Sequence, residues 1–413
     1  MLRRFLIPLA MAIAALTAVA GCAATYDRPQ PGGFEQPRGE VDVSYFYGAL
    51  SPYGDWIQTD EYGLVWCPIN EPVDWRPYTD GEWVWTNYGW TWVADEDWGW
   101  APYHYGRWYD DAYNGWCWVP GRDWSPAWVA WREGGGYIGW APLPPAMGWQ
   151  VNVGFSSNDW DHMPGVEHYW WSFALARDLP GPGISRRLAP RHRGGVLVAE
   201  THNITNYTYV DAHVANRSLD IEPIRRAHGK NIPTRVITDI SAPPASHSRQ
   251  VAGNTFNAYR PEMREAPAQA APAAVRPARR VPVNAEQANR APQVTPQTQA
   301  RIDREAVALR TREAADKKRL QQDQLQETKK PPVGVDADKL RAQHQQEQKA
   351  LDNQTARDER VLKSRQEQRQ QNPATKADSP RKQAQPVKDA KGDAGNNGKN
   401  DGKNNDKPDR NNK

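Results

Sequence analysis

The chain has 413 residues and a formal net charge of +3, but charge and apolar content are divided unevenly along it. All 20 Trp fall between Trp56 and Trp171. From Ser241 onward Leu, Ile, Val and Phe make up only 18 of 173 residues, which excludes a second globular domain with its own apolar core. The first 240 residues hold 18 Lys and Arg against 27 Asp and Glu, and the rest hold 34 against 22, so an acidic front precedes a basic tail.

The N-terminus reads Met1-Leu2-Arg3-Arg4, then an apolar run from Phe5 to Ala20, then Gly21-Cys22. A positive start, a short apolar stretch and small residues predict an export signal over residues 1–21. The run is shorter than the ~20 residues that a membrane-crossing helix needs. Val19-Ala20-Gly21-Cys22 resembles the lipobox of bacterial lipoproteins. That resemblance implies that Cys22 carries the lipid and anchors the protein in a membrane. Ala23 rather than Asp after the Cys implies the outer membrane, at its periplasmic face. Residues 22–40 read as a tether.

Residues 41–149 carry dense aromatics with turn residues every few positions. Three copies of a unit of about 26 residues begin at Tyr53-Gly54-Asp55-Trp56, Asp80-Gly81-Glu82-Trp83 and Tyr105-Gly106-Arg107-Trp108. Gly99-Trp100-Ala101-Pro102 recurs as Gly139-Trp140-Ala141-Pro142. The pairs Trp83/Trp85, Trp90/Trp92, Trp98/Trp100 and Trp116/Trp118 have period 2, which sets both indoles on one face of a strand. Asn87-Tyr88-Gly89 and Asn114-Gly115 suit tight hairpin turns. The fold class expected is mainly β: an antiparallel meander, or a small barrel or propeller-like stack of hairpins. Two further thiols, Cys67 and Cys117, form either a disulfide in an oxidising compartment or two buried free thiols. Aligned on Gly63, Gly89 and Gly115, the two Cys fall two positions apart, on corresponding strand faces.

The aromatics admit two readings. Each buried ring removes ~150–250 Å² from water, so Trp can build the core of a small domain. Yet 17 Trp lie between Trp56 and Trp149, on strands whose alternate faces both carry rings, and exposed rings would mark a binding surface. Val41 to Trp149 holds 15 Asp and Glu, four Arg and no Lys, which argues against nucleic acid. Flat rings beside acids and amides suit sugars. Trp83, Trp85, Trp90, Trp92, Trp98, Trp100, Trp116 and Trp118 are therefore candidates to bind peptidoglycan, another envelope glycan or an envelope protein. No catalytic constellation, metal ligand set or cofactor motif stands out. Asp95-Glu96-Asp97 reads as a solvated loop, and His104, His162 and His168 lack zinc-type spacing.

Residues 150–240 read as a β-rich extension. Strands are expected at Val196-Leu197-Val198-Ala199 and from Ile204 to Val210, and a short helix near 221–228 with Asp220 as N-cap and Gly229 as stop. Ser51-Pro52-Tyr53-Gly54-Asp55-Trp56, Trp75-Arg76-Pro77-Tyr78, Trp98-Gly99-Trp100-Ala101-Pro102-Tyr103-His104-Tyr105-Gly106-Arg107-Trp108 and Gly139-Trp140-Ala141-Pro142-Leu143-Pro144-Pro145 resemble the uncharacterised Trp-rich exported proteins of Gram-negative bacteria. The likeness covers about residues 44–235. It implies an envelope location and carries no catalytic residue.

Residues 241–296 read as a Pro/Ala-rich linker and 297–371 as a charged, Gln-rich helical segment divided at Pro331-Pro332. Leu309/Leu320 and Leu340/Leu351/Leu362 recur every eleven residues, a sparse stripe on one helix face with coiled-coil character. Residues 372–413 are expected to stay disordered. The function expected is that of a non-enzymatic outer-membrane lipoprotein presenting an aromatic, acidic β surface to a glycan or envelope partner. Its rivals are a structural scaffold that binds protein only, and a glycan-cleaving enzyme.

Overall fold

The repeat folds as hairpins joined by Trp pairs. In a computed structural model, α1 (Ser44–Leu50) precedes four antiparallel hairpins: β1 (Gly54–Thr59) with β2 (Gly63–Pro68), β3 (Gly81–Thr86) with β4 (Gly89–Ala94), β5 (Arg107–Asp111) with β6 (Gly115–Val119), and β7 (Val129–Gly134) with β8 (Tyr137–Pro142). Each hairpin sets one indole directly across from another: Trp56 and Trp66, Trp83 and Trp92, Trp108 and Trp118, Trp131 and Trp140. All eight are buried. The structure describes residues 43–150, 154–155, 163, 166–210, 213–244, 250–261, 263, 270–277, 296–331 and 335–371, all within a unit spanning residues 1–377. Residues 1–42, with the export signal, Cys22 and tether expected there, and the tail from 372, which includes a second unit over 378–413, lie outside the described residues.

The Gly-x-Trp that opens the first three hairpins has a steric cause. A Cβ on Gly54 would lie 2.5 Å from the Trp66 indole, on Gly81 2.8 Å from that of Trp92, and on Gly106 2.6 Å from that of Trp118. The bare Cα lets the partner ring lie flat across the strand end, so any larger residue there would push the Trp pair apart.

The remaining strands are β9 (Trp149–Gln150), β10 (Gly154–Phe155), β11 (Ser172–Leu175), β12 (His202–Asn203), β13 (Tyr207–Val210), β14 (His213–Asn216), β15 (Thr234–Asp239), β16 (Val251–Ala252), β17 (Thr255–Ala258) and β18 (Val275–Pro277). Most of them extend the hairpins sideways, into one antiparallel and two mixed sheets. The orders are β18-β1-β2-β6-β5, β11-β8-β7-β12 and β13-β14-β4-β3-β15-β17-β16, besides the β9–β10 pair. Parallel neighbours occur at β1–β18, β14–β4, β15–β3 and β15–β17. The architecture is therefore mixed α/β and not the meander or closed barrel expected. Hairpins one and three join each other through β2 and β6, while hairpins two and four each recruit later strands.

Cys67 on β2 faces Cys117 on β6 beside the Trp66–Trp118 pair, and the two are joined as a disulfide with Cα atoms 4.2 Å apart. Ile57, Val65 and Val119 pack around it on the sheet face opposite the main core. Cys67→Ser with Cys117→Ser is expected to lower the unfolding free energy by roughly 2–4 kcal/mol, because the closed loop restricts the unfolded chain. Urea unfolding of the oxidised protein against the double variant measures this.

Three local expectations change. Residues 196–199 lie in a helix, α2 (Gly194–Glu200), and not in a strand. Only Leu197 of that apolar run is buried, whereas a strand would bury alternate residues together. Trp98 and Trp100 lie in successive turns rather than on a strand. The linker expected over 241–296 contributes β16, β17 and β18, with Phe256 and Met263 buried in the main core. Residues 278–295 of that linker lie outside the described residues. α3 (Ile221–His228) forms as expected: the Asp220 side chain accepts from the Glu222 N–H, and Gly229 ends the helix at φ 69°.

Beyond β18 the charged segment forms α4 (Pro296–Lys329) and α5 (Ala337–Gln371). They run antiparallel, with Glu305 meeting Arg369 and Glu327 meeting His344. Leu309, Leu320, Leu340, Leu351 and Leu362 are all buried. No helix among the described residues is long and apolar enough to cross a membrane.

Candidate functional site

The eight candidate rings do not assemble into a platform. Trp83, Trp90, Trp92, Trp98, Trp100, Trp116 and Trp118 are buried, and Trp85 is half-buried. Eighteen of the nineteen described Trp are buried. Every residue of β4 and of β6 is buried, so both sheet faces are covered, and rings on alternate faces need no water-facing surface. Trp83 meets Trp92 and Trp140 edge to face at 5.0 Å and 5.8 Å, and Trp131 at a tilt at 4.6 Å. Several indole N–H groups are spent on carbonyls: Trp66 donates to Leu50, Trp108 to Pro102, Trp118 to Tyr105 and Trp140 to Tyr78. These contacts make the Trp the interior of the domain.

The acids divide into two groups. Asp95 and Asp97 are exposed as a solvated loop should be, but Glu96 between them turns inward and is buried. Its Oε1 accepts from Trp75 Nε1 at 3.2 Å and from the Tyr103 hydroxyl at 2.7 Å. Oxygens of Glu71, Asp80 and Glu96 lie within 4.8 Å of one another. Burial, and next the charges of Glu71 and Asp80, push the Glu96 carboxyl well above its usual range. Nothing in the acidic triplet of the sequence signals which of the three turns in.

The second acidic group meets the helical arm. Arg357 on α5 spans Asp110 with its Nε at 2.7 Å and a second guanidinium nitrogen, and also donates to Asp358 at 2.6 Å and to the Val73 carbonyl at 3.3 Å. Burial pulls its pKa down, but the hydrogen bonds and charges of Asp110 and Asp358 outweigh this and hold it above the usual arginine value. Arg312 pairs with Asp74 at 2.8 Å, and Arg365 donates to the Glu71 carbonyl at 2.6 Å. Val73, Leu309, Val361 and Leu362 form the small apolar contact inside this ring of charge. The basic tail thus meets the acidic face of its own domain.

His104 is buried and stacks on Trp124 at 5.2 Å. Its Nδ1 lies 2.9 Å from the Ser125 carbonyl, while Nε2 has no hydrogen-bond partner. A neutral ring donating from Nδ1 fits; a second proton would sit on the buried Nε2. Burial pulls its pKa from 6.5 to about 4. The unfolded chain therefore binds the extra proton first. The stability carried by neutral His104 is full above about pH 6.5 and is lost as pH falls toward 4, amounting to about 3 kcal/mol. His104→Asn is expected to flatten this part of the pH profile, read as urea midpoints from pH 7 down to 4. His168 is exposed, and His162 lies outside the described residues.

The comparisons with known proteins bear on the hairpin region. Residues 47–147 match a family of unknown function, DUF6600. No curated protein and no solved structure matches the chain. The DUF6600 region runs from α1 through the fourth hairpin, β7–β8, and so contains the Trp pair named above for each hairpin and the disulfide. The strands that complete its sheets, β11 to β18, come from beyond the matched residues, as do α4 and α5.

Proposed function

We propose that the protein is a non-enzymatic cell-envelope lipoprotein, held in the outer membrane through Cys22 and working as a structural scaffold for an envelope protein. The observation that carries this reading is the burial of eighteen of nineteen described Trp. Rings already packed against one another have no face left to stack on a sugar, which weighs against the glycan-binding reading of the same residues. Two acids of the Trp domain, Asp74 and Asp110, hold the arginines of the arm. The lipobox-like Val19-Ala20-Gly21-Cys22 and the likeness to Trp-rich exported proteins support the envelope location.

Two experiments test it. Metabolic labelling with palmitate should mark the wild type and leave Cys22→Ser unlabelled and released from the membrane fraction. Purified protein should fail to co-sediment with peptidoglycan. Saturable co-sedimentation that is lost in Trp85→Ala would restore the glycan reading, and release of fragments abolished by Asp97→Asn would make the protein an enzyme.

A further inference from the structure

The helical arm carries a cluster of a different kind from the carboxylates of the Trp domain. Glu327 on α4 faces His344 and Glu347 on α5, which are three residues apart and so share one helix face. One imidazole nitrogen and one oxygen from each carboxylate lie within 4.8 Å of one another. His344 Nε2 is 2.9 Å from Glu327 Oε2, and the other oxygen, Glu327 Oε1, accepts from Arg193 at 2.6 Å. Arg193 thereby fixes the outer oxygen and leaves Oε2 turned toward the imidazole. Glu347 is 2% exposed, yet its carboxylate receives long hydrogen bonds, from Gln324 at 3.3 Å and Gln343 at 3.5 Å. A buried carboxylate held this loosely is poorly compensated for its lost hydration.

We propose that Glu327, His344 and Glu347 form a binding site for a divalent transition-metal ion of the zinc class, clamping α4 to α5 where the hairpin meets the turn at Arg191–Arg193. The donor chemistry selects that class: one imidazole with two carboxylates suits Zn²⁺ better than the all-oxygen sets taken by Ca²⁺ or Mg²⁺. The geometry is close. Ligands about 2.0–2.2 Å from a tetrahedral zinc stand roughly 3.3–3.5 Å apart. The His344–Glu327 pair, at 2.9 Å, is already near that separation, and a Glu347 oxygen lies within 4.8 Å of both. Three protein ligands leave a fourth position for water. Helix pairs elsewhere build metal sites from a Glu and a His three residues apart on one helix, completed from the facing helix. The assignment does not depend on whether the partner of the Trp domain is a protein or a glycan. In its metal-free form the same triad is a proton-bridged His–Glu contact, and the test must separate the two.

The test uses untagged full-length protein freed of metal with a chelator. Zn²⁺ is added under calorimetry, and tryptic cleavage within α4–α5 is followed in parallel. The expected result is saturable binding at one equivalent per chain, with slower cleavage of the arm. His344→Gln and Glu347→Gln should each weaken binding at least tenfold with the far-ultraviolet helical signal unchanged. His192→Gln, which removes a neighbouring imidazole outside the triad, should bind as the wild type does. Absence of saturable binding, or equal affinity in wild type and both triad variants, would overturn the site.

Discussion

Trp83→Ala is expected to lower the free energy of unfolding by about 3–5 kcal/mol, the range for truncating a fully buried aromatic. Trp83 is 1% exposed and touches rings from two hairpins: Trp92 across its own, and Trp131 and Trp140 of the fourth. It also stacks parallel to Tyr78 at 6.2 Å. Removing it opens a cavity between sheets that are held by separate strand sets, so the surroundings cannot collapse to fill the space. Its Nε1 has no hydrogen-bond partner, so Trp83→Phe loses ring volume without stranding an acceptor. That variant should cost about 1–2 kcal/mol. Urea unfolding followed by circular dichroism gives both values. If Trp83 were instead a water-facing binding residue, both changes would be nearly neutral.

Arg357→Ala is expected to free the arm at a cost of about 3–5 kcal/mol, because it leaves a buried carboxylate without its counter-charge. The side chains of Arg357 and Asp110 are 8% and 4% exposed, and the Tyr169 hydroxyl, 2.8 Å from Asp110, would remain as a donor to it. The apolar contact under the arm is small, resting on Val73, Leu309, Val361 and Leu362. Docking therefore depends on charge pairs to an unusual degree. Trypsin should cut α4–α5 of the variant faster, while the Trp core unfolds at the same urea concentration as in the parent. Asp110→Asn should act in the same direction but more weakly, since an amide oxygen still accepts from the guanidinium. Arg357→Lys should fall between the two, keeping the charge and losing the two-point contact.

The residues differ in how much of this they make readable. Gly63, Gly89 and Gly115 mark the first three hairpin turns, and each takes positive φ. Asp220 and Gly229 bracket α3, and the eleven-residue Leu spacing identifies the buried stripe of α4 and α5. These features are local, and local chemistry decides them. The tetrapeptide Gly-Trp-Ala-Pro shows where such reading ends: at Gly139–Pro142 it is strand β8, at Gly99–Pro102 it is turn. Its partners differ, because Arg132 and Trp131 lie across from Gly139 and Trp140, whereas Trp100 packs on Phe46 and Tyr259. The sheet order is long-range for the same reason: β2 selects β6 across the intervening hairpin. Burial of the candidate rings is long-range in the same way: Trp83 of the second hairpin packs against Trp131 and Trp140 of the fourth. The triad at Glu327, His344 and Glu347 was equally hidden, since its third member comes from the facing helix.

The proposed scaffold role requires that the indoles be interior structure and not a recognition surface. Trp fluorescence of the native full chain, with acrylamide as quencher and peptidoglycan fragments as ligand, tests it most directly. Interior indoles give blue-shifted emission, quenching far weaker than in the urea-unfolded chain, and no response to the fragments. Red-shifted emission that acrylamide quenches readily and peptidoglycan fragments protect would contradict it.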